Sequence, residues 1–213
     1  GGQTITTLAL DMLHMALSPD ERHIAVGDQD SSHILLDAQG TPVAEYDPQS
    51  SYPHHTVFSH DGTRLFANSC HLYWGSTLSV PLAPLSPLAA QGPQDAPQPA
   101  PTDAEDLPTL DNRCRVYASA TQPDLVVLGD ADGYLHAISD DGQALWRHHI
   151  GSTISGMDVS PDGGVLWAAS YGGYLVRLER SEAGMDPYSI GTSPYVETSR
   201  WIFWGDEAGP VRW

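Results

Sequence analysis

Lysine is missing from this 213-residue chain; its nine basic residues are all arginine, against 27 Asp and Glu, for a formal net charge of -18. That balance opposes any sequence-independent attraction to phosphate backbones or anionic lipid, so nucleic acid is not an expected partner. Long apolar runs are lacking too. Nothing approaches the roughly 20 apolar residues that a spanning helix needs, and no membrane partner is expected. No basic start leads into an apolar stretch, so no secretory signal is visible, and an opening on Gly1-Gly2 rather than Met leaves open what precedes it. Cysteine is scarce: Cys70 and Cys114 are too few for a disulfide framework and are expected as buried, reduced thiols. The compartment stays open, with the cytoplasm favoured over the periplasm or the exterior. Catalytic phrases are absent as well, with no Gly-x-Ser-x-Gly elbow, phosphate loop or His-Glu-x-x-His. Helix-type spacing is nearly absent.

What the chain does contain is a repeat. A short apolar strand runs into Ser-Pro-Asp-Gly or a near copy, and a second apolar strand follows. The copies are Ser18-Pro19-Asp20-Glu21, Ser59-His60-Asp61-Gly62 and Ser160-Pro161-Asp162-Gly163. A unit of this kind cannot bury its own apolar faces and must stack on neighbours. The period is near 40 residues, as seen from Gly133-Tyr134-Leu135 to Gly173-Tyr174-Leu175. With turn residues every 8 to 12 positions, this predicts an all-β protein of four-stranded propeller blades.

The expected fold is a five-bladed β-propeller of four-stranded antiparallel blades in a single domain, 1–213. Blade 1 spans 13–46, blade 2 55–82, blade 3 113–148, blade 4 154–190 and blade 5 195–213. In blade 4 the last strand is expected near 187–190. In blade 5, 195–198 and 201–206 are expected as separate strands. The orphan segment 4–10 would complete the last blade, close the ring and remove its exposed edge. Residues 83–111 are rich in Pro, Ala, Gln and Asp and read as an extended, solvated insertion in blade 2 that replaces or delays its fourth strand.

The Ser-Pro-Asp-Gly turns resemble those of WD-repeat and YVTN-type propellers. The stretch from Gly133-Tyr134-Leu135-His136 to Gly142-Gln143-Ala144-Leu145-Trp146 resembles the repeat of quinoprotein-like propellers, in which a Trp docks between blades. The resemblance implies the propeller fold and a binding or scaffolding role; with one clean copy, it implies no quinone cofactor.

Candidate site residues follow from the repeat. In a meander blade the turn between the second and third strands (b–c) and the connection into the next blade (d–a) emerge at the same end. There the b–c turns repeat Gly-Asp and place Asp28, Asp130 and Asp206. The d–a connections carry Tyr52, His54 and His55, then His148 and His149, then Tyr195. Together they predict an acidic, aromatic face that binds a protein or peptide. Oxygen-rich turns would suit calcium, yet none matches a full calcium loop, and Asp with Gly is ordinary hairpin chemistry. No cofactor and no metal site is therefore expected. The alternative is a carbohydrate-directed enzyme or lectin with channel carboxylates Asp158 and Glu197; no catalytic residue is assigned. The oligomeric state is not readable.

Overall fold

Alternation at period two sets the strands. In Val116-Tyr117-Ala118-Ser119-Ala120-Thr121-Gln122 every second residue is buried, as one face of a pleated strand requires. The structure is a computed structural model that describes residues 11, 13–48, 52–72, 74–82, 109–110, 113–123, 125–182, 189–205 and 209–212. Among these residues it is all-β, and no helix is long and apolar enough to cross a membrane. The chain divides into two units, Gly1–Arg115 and Val116–Trp213.

The first unit holds two antiparallel meanders. One runs β1 (His14–Leu17), β2 (His23–Gly27), β3 (His33–Asp37) and β4 (Pro42–Tyr46) in spatial order. The other runs β5 (Tyr52–Phe58), β6 (Arg64–His71), β7 (Trp74–Pro81) and β8 (Thr109–Leu110). They meet over Ala25, Leu35 and Tyr46 from the first sheet and Phe58, Leu65, Ala67, Leu78 and Val80 from the second. The expected insertion thus delays the fourth strand to 109–110, where Thr77 pairs with Leu110 and Leu78 with Thr109. Residues 83–108 lie outside the described residues.

The second unit holds β9 (Val116–Gln122), β10 (Leu125–Asp130), β11 (Tyr134–Ser139) and β12 (Ala144–His149) as one meander. A five-stranded sheet follows: β13 (Ile154–Val159), β14 (Val165–Ser170), β15 (Tyr174–Arg180), β16 (Tyr195–Ile202) and β17 (Val211–Arg212). Ala118, Val127, Leu135 and Ala137 pack against Ile154, Leu166, Ala168, Val176, Leu178 and Tyr195.

Here the expected blade count is corrected. Residues 195–202 do not open a fifth sheet; they form one strand, paired along β15 from Tyr174↔Ile202 to Arg180↔Tyr195. The physical reason lies in Thr198-Ser199-Arg200, which has no Gly, Pro, Asn or Asp to turn the chain. The position expected for that fourth strand is taken differently. His149 N donates to Ile190 O at 2.9 Å and Thr192 N to Arg147 O at 2.8 Å, so 190–192 lines the edge of β12. The described residues form four sheets, none of them closed; the segment 4–10 lies outside them.

The Ser-x-Asp turns show why the repeat reads as it does. Ser59 Oγ donates to Asp61 Oδ1 at 2.7 Å and accepts from Arg64 N at 3.0 Å, while Thr63 N donates to the same Asp61 oxygen at 2.9 Å. Ser18 with Asp20, and Ser160 with Asp162, repeat the pattern. In each turn the Ser hydroxyl, followed by the backbone N–H donor, holds the Asp carboxyl below its ordinary range. This motif is structural.

Candidate functional site

Each meander brings its b–c turn and the outer end of its fourth strand together, as the pairings Gly27↔His14, His33↔Tyr46, Asp130↔Val116 and Tyr134↔His149 record. In the second unit that end is built around Asp130. Its Oδ1 accepts Asp132 N at 2.9 Å and Tyr134 N at 2.8 Å, which folds the turn. Its Oδ2 lies 2.7 Å from His136 Nε2. Gly133 takes φ 86°, and a Cβ there would fall 2.6 Å from Ser152 N, so both conformation and space require glycine.

The turn positions Tyr134, whose ring lies 4.5 Å from His149 and 5.8 Å from His136, with the Arg147 guanidinium 5.7 Å from its centre. His149 Nε2 is 3.2 Å from Asp132 O, which sets that nitrogen as the protonated one. Arg147 and Asp132 are exposed. Such a cluster offers a π face, a guanidinium fork and a carboxylate within one patch, which suits side chains of a polypeptide.

The first unit carries a second aromatic–imidazole end. Tyr52 and His71 approach at 5.7 Å between ring centres, and Arg115 Nε donates to His54 Nε2 at 3.1 Å. Arg115 also reaches Leu72 O at 3.3 Å, bracing a turn in which Leu72 takes φ 55°. That turn leaves Leu72 66% and Trp74 67% exposed.

The predicted site residues therefore divide. Asp130 and His149 come together around Tyr134, and Tyr52 and His54 share the other end. Asp28 and Asp130 do not present their carboxylates to solvent as expected. They are 1% and 3% exposed, because each folds back on its own turn, Asp28 accepting from Asp30 N. His148 is buried opposite Leu135. Tyr195 is a core residue: its hydroxyl donates to Gly163 O at 2.6 Å and accepts from Gln122 Nε2 at 3.0 Å. His55 is half-buried on β5, and burial, His14 and His54 hold its imidazole down to about 3. Asp206 lies outside the described residues.

The alternative carboxylate pair does not assemble. Asp158 is exposed on β13, where its Oδ1 caps Val159 N. Glu197 lies on β16, clamped by Arg200 through two 2.8 Å hydrogen bonds. Two strands intervene, so three inter-strand spacings separate them, about 14 Å. Glycosidase carboxylates work about 5–9.5 Å apart.

Sequence reasoning missed Tyr134, His136, Arg147, His71 and Trp74. His136 was findable, since it lies six residues after Asp130 on the strand leaving the turn. Trp74 and Leu72 carried a signal in being apolar residues within a hairpin turn. Among known proteins, no family model matches the chain, and no curated protein matches it.

Proposed function

We propose that this chain is a β-propeller-type binding protein without catalytic machinery, whose four meander sheets are blades and whose b–c/d–a ends take a protein or peptide partner. One observation carries the reading. The exposed large aromatics among the described residues are Trp74, Tyr171, Phe203 and Trp204, and all four belong to that end of their sheets. Trp74 pairs with His71 at the β6–β7 turn, Tyr171 follows β14, and Phe203 N donates to Gly173 O in the β14–β15 turn. Tyr117 adds an edge contact to Tyr171 at 6.0 Å. At the opposite ends the turns are Ser-Pro-Asp-Gly and its kin, polar and internally bonded. Aromatic side chains supply most of the energy at protein interfaces, and leaving four of them in water at one kind of end is costly without a partner. The net charge of -18 disfavours nucleic acid as that partner.

A displayed random-peptide library selected on the full chain tests this. Selected peptides are expected to lose at least tenfold in affinity on Trp74→Ser or on Tyr171→Ser with Trp204→Ser. They should keep it on Gln39→Ala with Asp162→Ala at the opposite ends. Peptides that respond only to the second pair would refute the assignment.

A further inference from the structure

We infer that the seam between the two sheets of the first unit is an acid-operated latch, in which His33 holds the sheets together as a neutral ring and releases them on taking a proton. His33 opens β3 and is 1% exposed. Its Nε2 lies 2.9 Å from Ser69 Oγ on β6, so this one contact crosses from the first sheet to the second. Among the described residues its Nδ1 is buried with no hydrogen-bond partner, and Thr56 Oγ1 on β5 is buried in the same condition. The His14 ring sits 5.6 Å away, admitted because β2 offers Gly27 there; a Cβ on Gly27 would fall 2.9 Å from His14 Cε1.

Among the described residues, no carboxylate is paired with the His33 ring. The titratable groups packed around it are His14 on β1, Tyr46 paired with it across β3–β4, and His55 on β5, with His54 and Arg115 behind His55. Asp28, at the end of β2, accepts from the backbone of its own turn. A second proton donor at Nδ1 would therefore place a cation among imidazoles in a closed seam, which is the costly case of an unpaired buried charge.

The direction of the pH dependence follows. Burial first, then the neighbouring His14 and His55, hold the His33 imidazole down to about 3; burial, His14 and His54 do the same to His55. Unfolded, both return to the ordinary value of 6.5. The stabilisation by neutral rings is complete above about 6.5 and is lost as pH falls from there toward about 3, at about tenfold in the folded ratio per pH unit for each proton. His33, fully enclosed, is the firmer of the two, since His55 is only half-buried. The second unit has one buried imidazole, His148, and Leu135 where the third sheet's register matches His33.

The test is a pH series on the full chain from 7.5 to 3.5, with backbone amide spectra resolving β2, β3 and β6 from β10, β14 and β15. Amides of the first unit should vanish at a higher pH than those of the second, with a slope near two protons. His33→Leu should remove about one proton from that slope. The His33 ring signal in the wild-type chain should stay neutral until the first unit opens, a readout that survives even if the variant folds poorly. Loss of both units at one pH, an unchanged slope in His33→Leu, or a His33 ring that titrates near 6.5 in the folded state would overturn the latch.

Discussion

In the second unit the two sheets meet over Val127, Leu135, Leu166, Val176 and Leu178, and beside them Tyr195 places a hydroxyl that has both a donor and an acceptor. In the first unit the corresponding seam runs Leu35, Leu65, Leu78 and Phe58, then ends in His33, Thr56 and Ser69. The strand plan is the same, but the polar groups are treated differently. A satisfied buried group costs little, whereas an unsatisfied one carries its desolvation penalty into the fold. The two units thus differ less in architecture than in where each has placed conditional stability.

Removing hydrocarbon should make the units look alike. Leu65→Ala and Leu178→Ala each delete a side chain that is 0% exposed. Each should cost about 2–5 kcal/mol. Unit-resolved hydrogen exchange is expected to show the loss in sheets β1–β8 for the first and β9–β17 for the second. Protection lost equally in both units from one substitution would mean that they are not separable in stability.

Removing one oxygen should instead make them differ. Tyr195→Phe strips the partner from Gln122 and from Gly163 O, and should cost about 1–3 kcal/mol in urea unfolding. Tyr46, buried on β4 of the first unit, has a hydroxyl with no protein partner among the described residues, and burial raises its pKa. Tyr46→Phe should change stability by less than about 0.5 kcal/mol. Equal losses would show that the Tyr195 network is not what the hydroxyl contributes.

Intermediate in size is Asp130→Asn. The amide keeps one oxygen for Asp132 N and Tyr134 N but gives up the carboxylate opposite His136, so about 1–3 kcal/mol should be lost. Asp61→Asn, at an exposed carboxylate that accepts from Ser59 Oγ and Thr63 N of its own turn, should lose less. The order of the two, read by thermal unfolding, checks whether His136 is held by the carboxylate.

Much of this architecture was legible. The strands His23–Gly27, His33–Asp37, Pro42–Tyr46, Tyr134–Ser139 and Val165–Ser170 lie where alternation and turn residues put them. The fourth strand of the last sheet was not legible, because local pattern alone cannot say which neighbour the strand 195–202 pairs with. At the site, the Gly-Asp turns were visible, but not that their carboxylates point inward. That depends on backbone N–H groups converging on one oxygen, which leaves no mark beyond the Asp itself. The histidine seam was invisible for a related reason: His14, His33 and His55 are far apart in sequence, and only the stacking of two sheets brings them together.

A smaller effect, and the one predicted gain, isolates the repeat itself. The three Ser-x-Asp hairpins that join a first to a second strand close with the same bonds: Ser18 N to His23 O at 2.9 Å, Ser59 N to Arg64 O at 2.9 Å, and Ser160 N to Val165 O at 2.8 Å. Their last turn residue is left-handed in all three, with φ 59° at Glu21, 71° at Gly62 and 67° at Gly163. Only the first copy puts a side chain there, where Cβ crowds the backbone at about 1–2 kcal/mol. Part of that is offset because Glu restricts the unfolded chain more than Gly does. Glu21→Gly should therefore stabilise the first unit by about 0.5–1 kcal/mol, seen as a raised urea midpoint at unchanged slope. The reverse change in the second unit is harsher. Gly163→Glu meets both the left-handed backbone and Gln122 Oε1, 2.9 Å from where its Cβ would sit. Gln122 is the residue that donates to Tyr195, so strain at this turn reaches the buried Tyr195 hydroxyl. A Glu21→Gly chain no more stable than the parent would mean that the first turn relaxes where the other two do not.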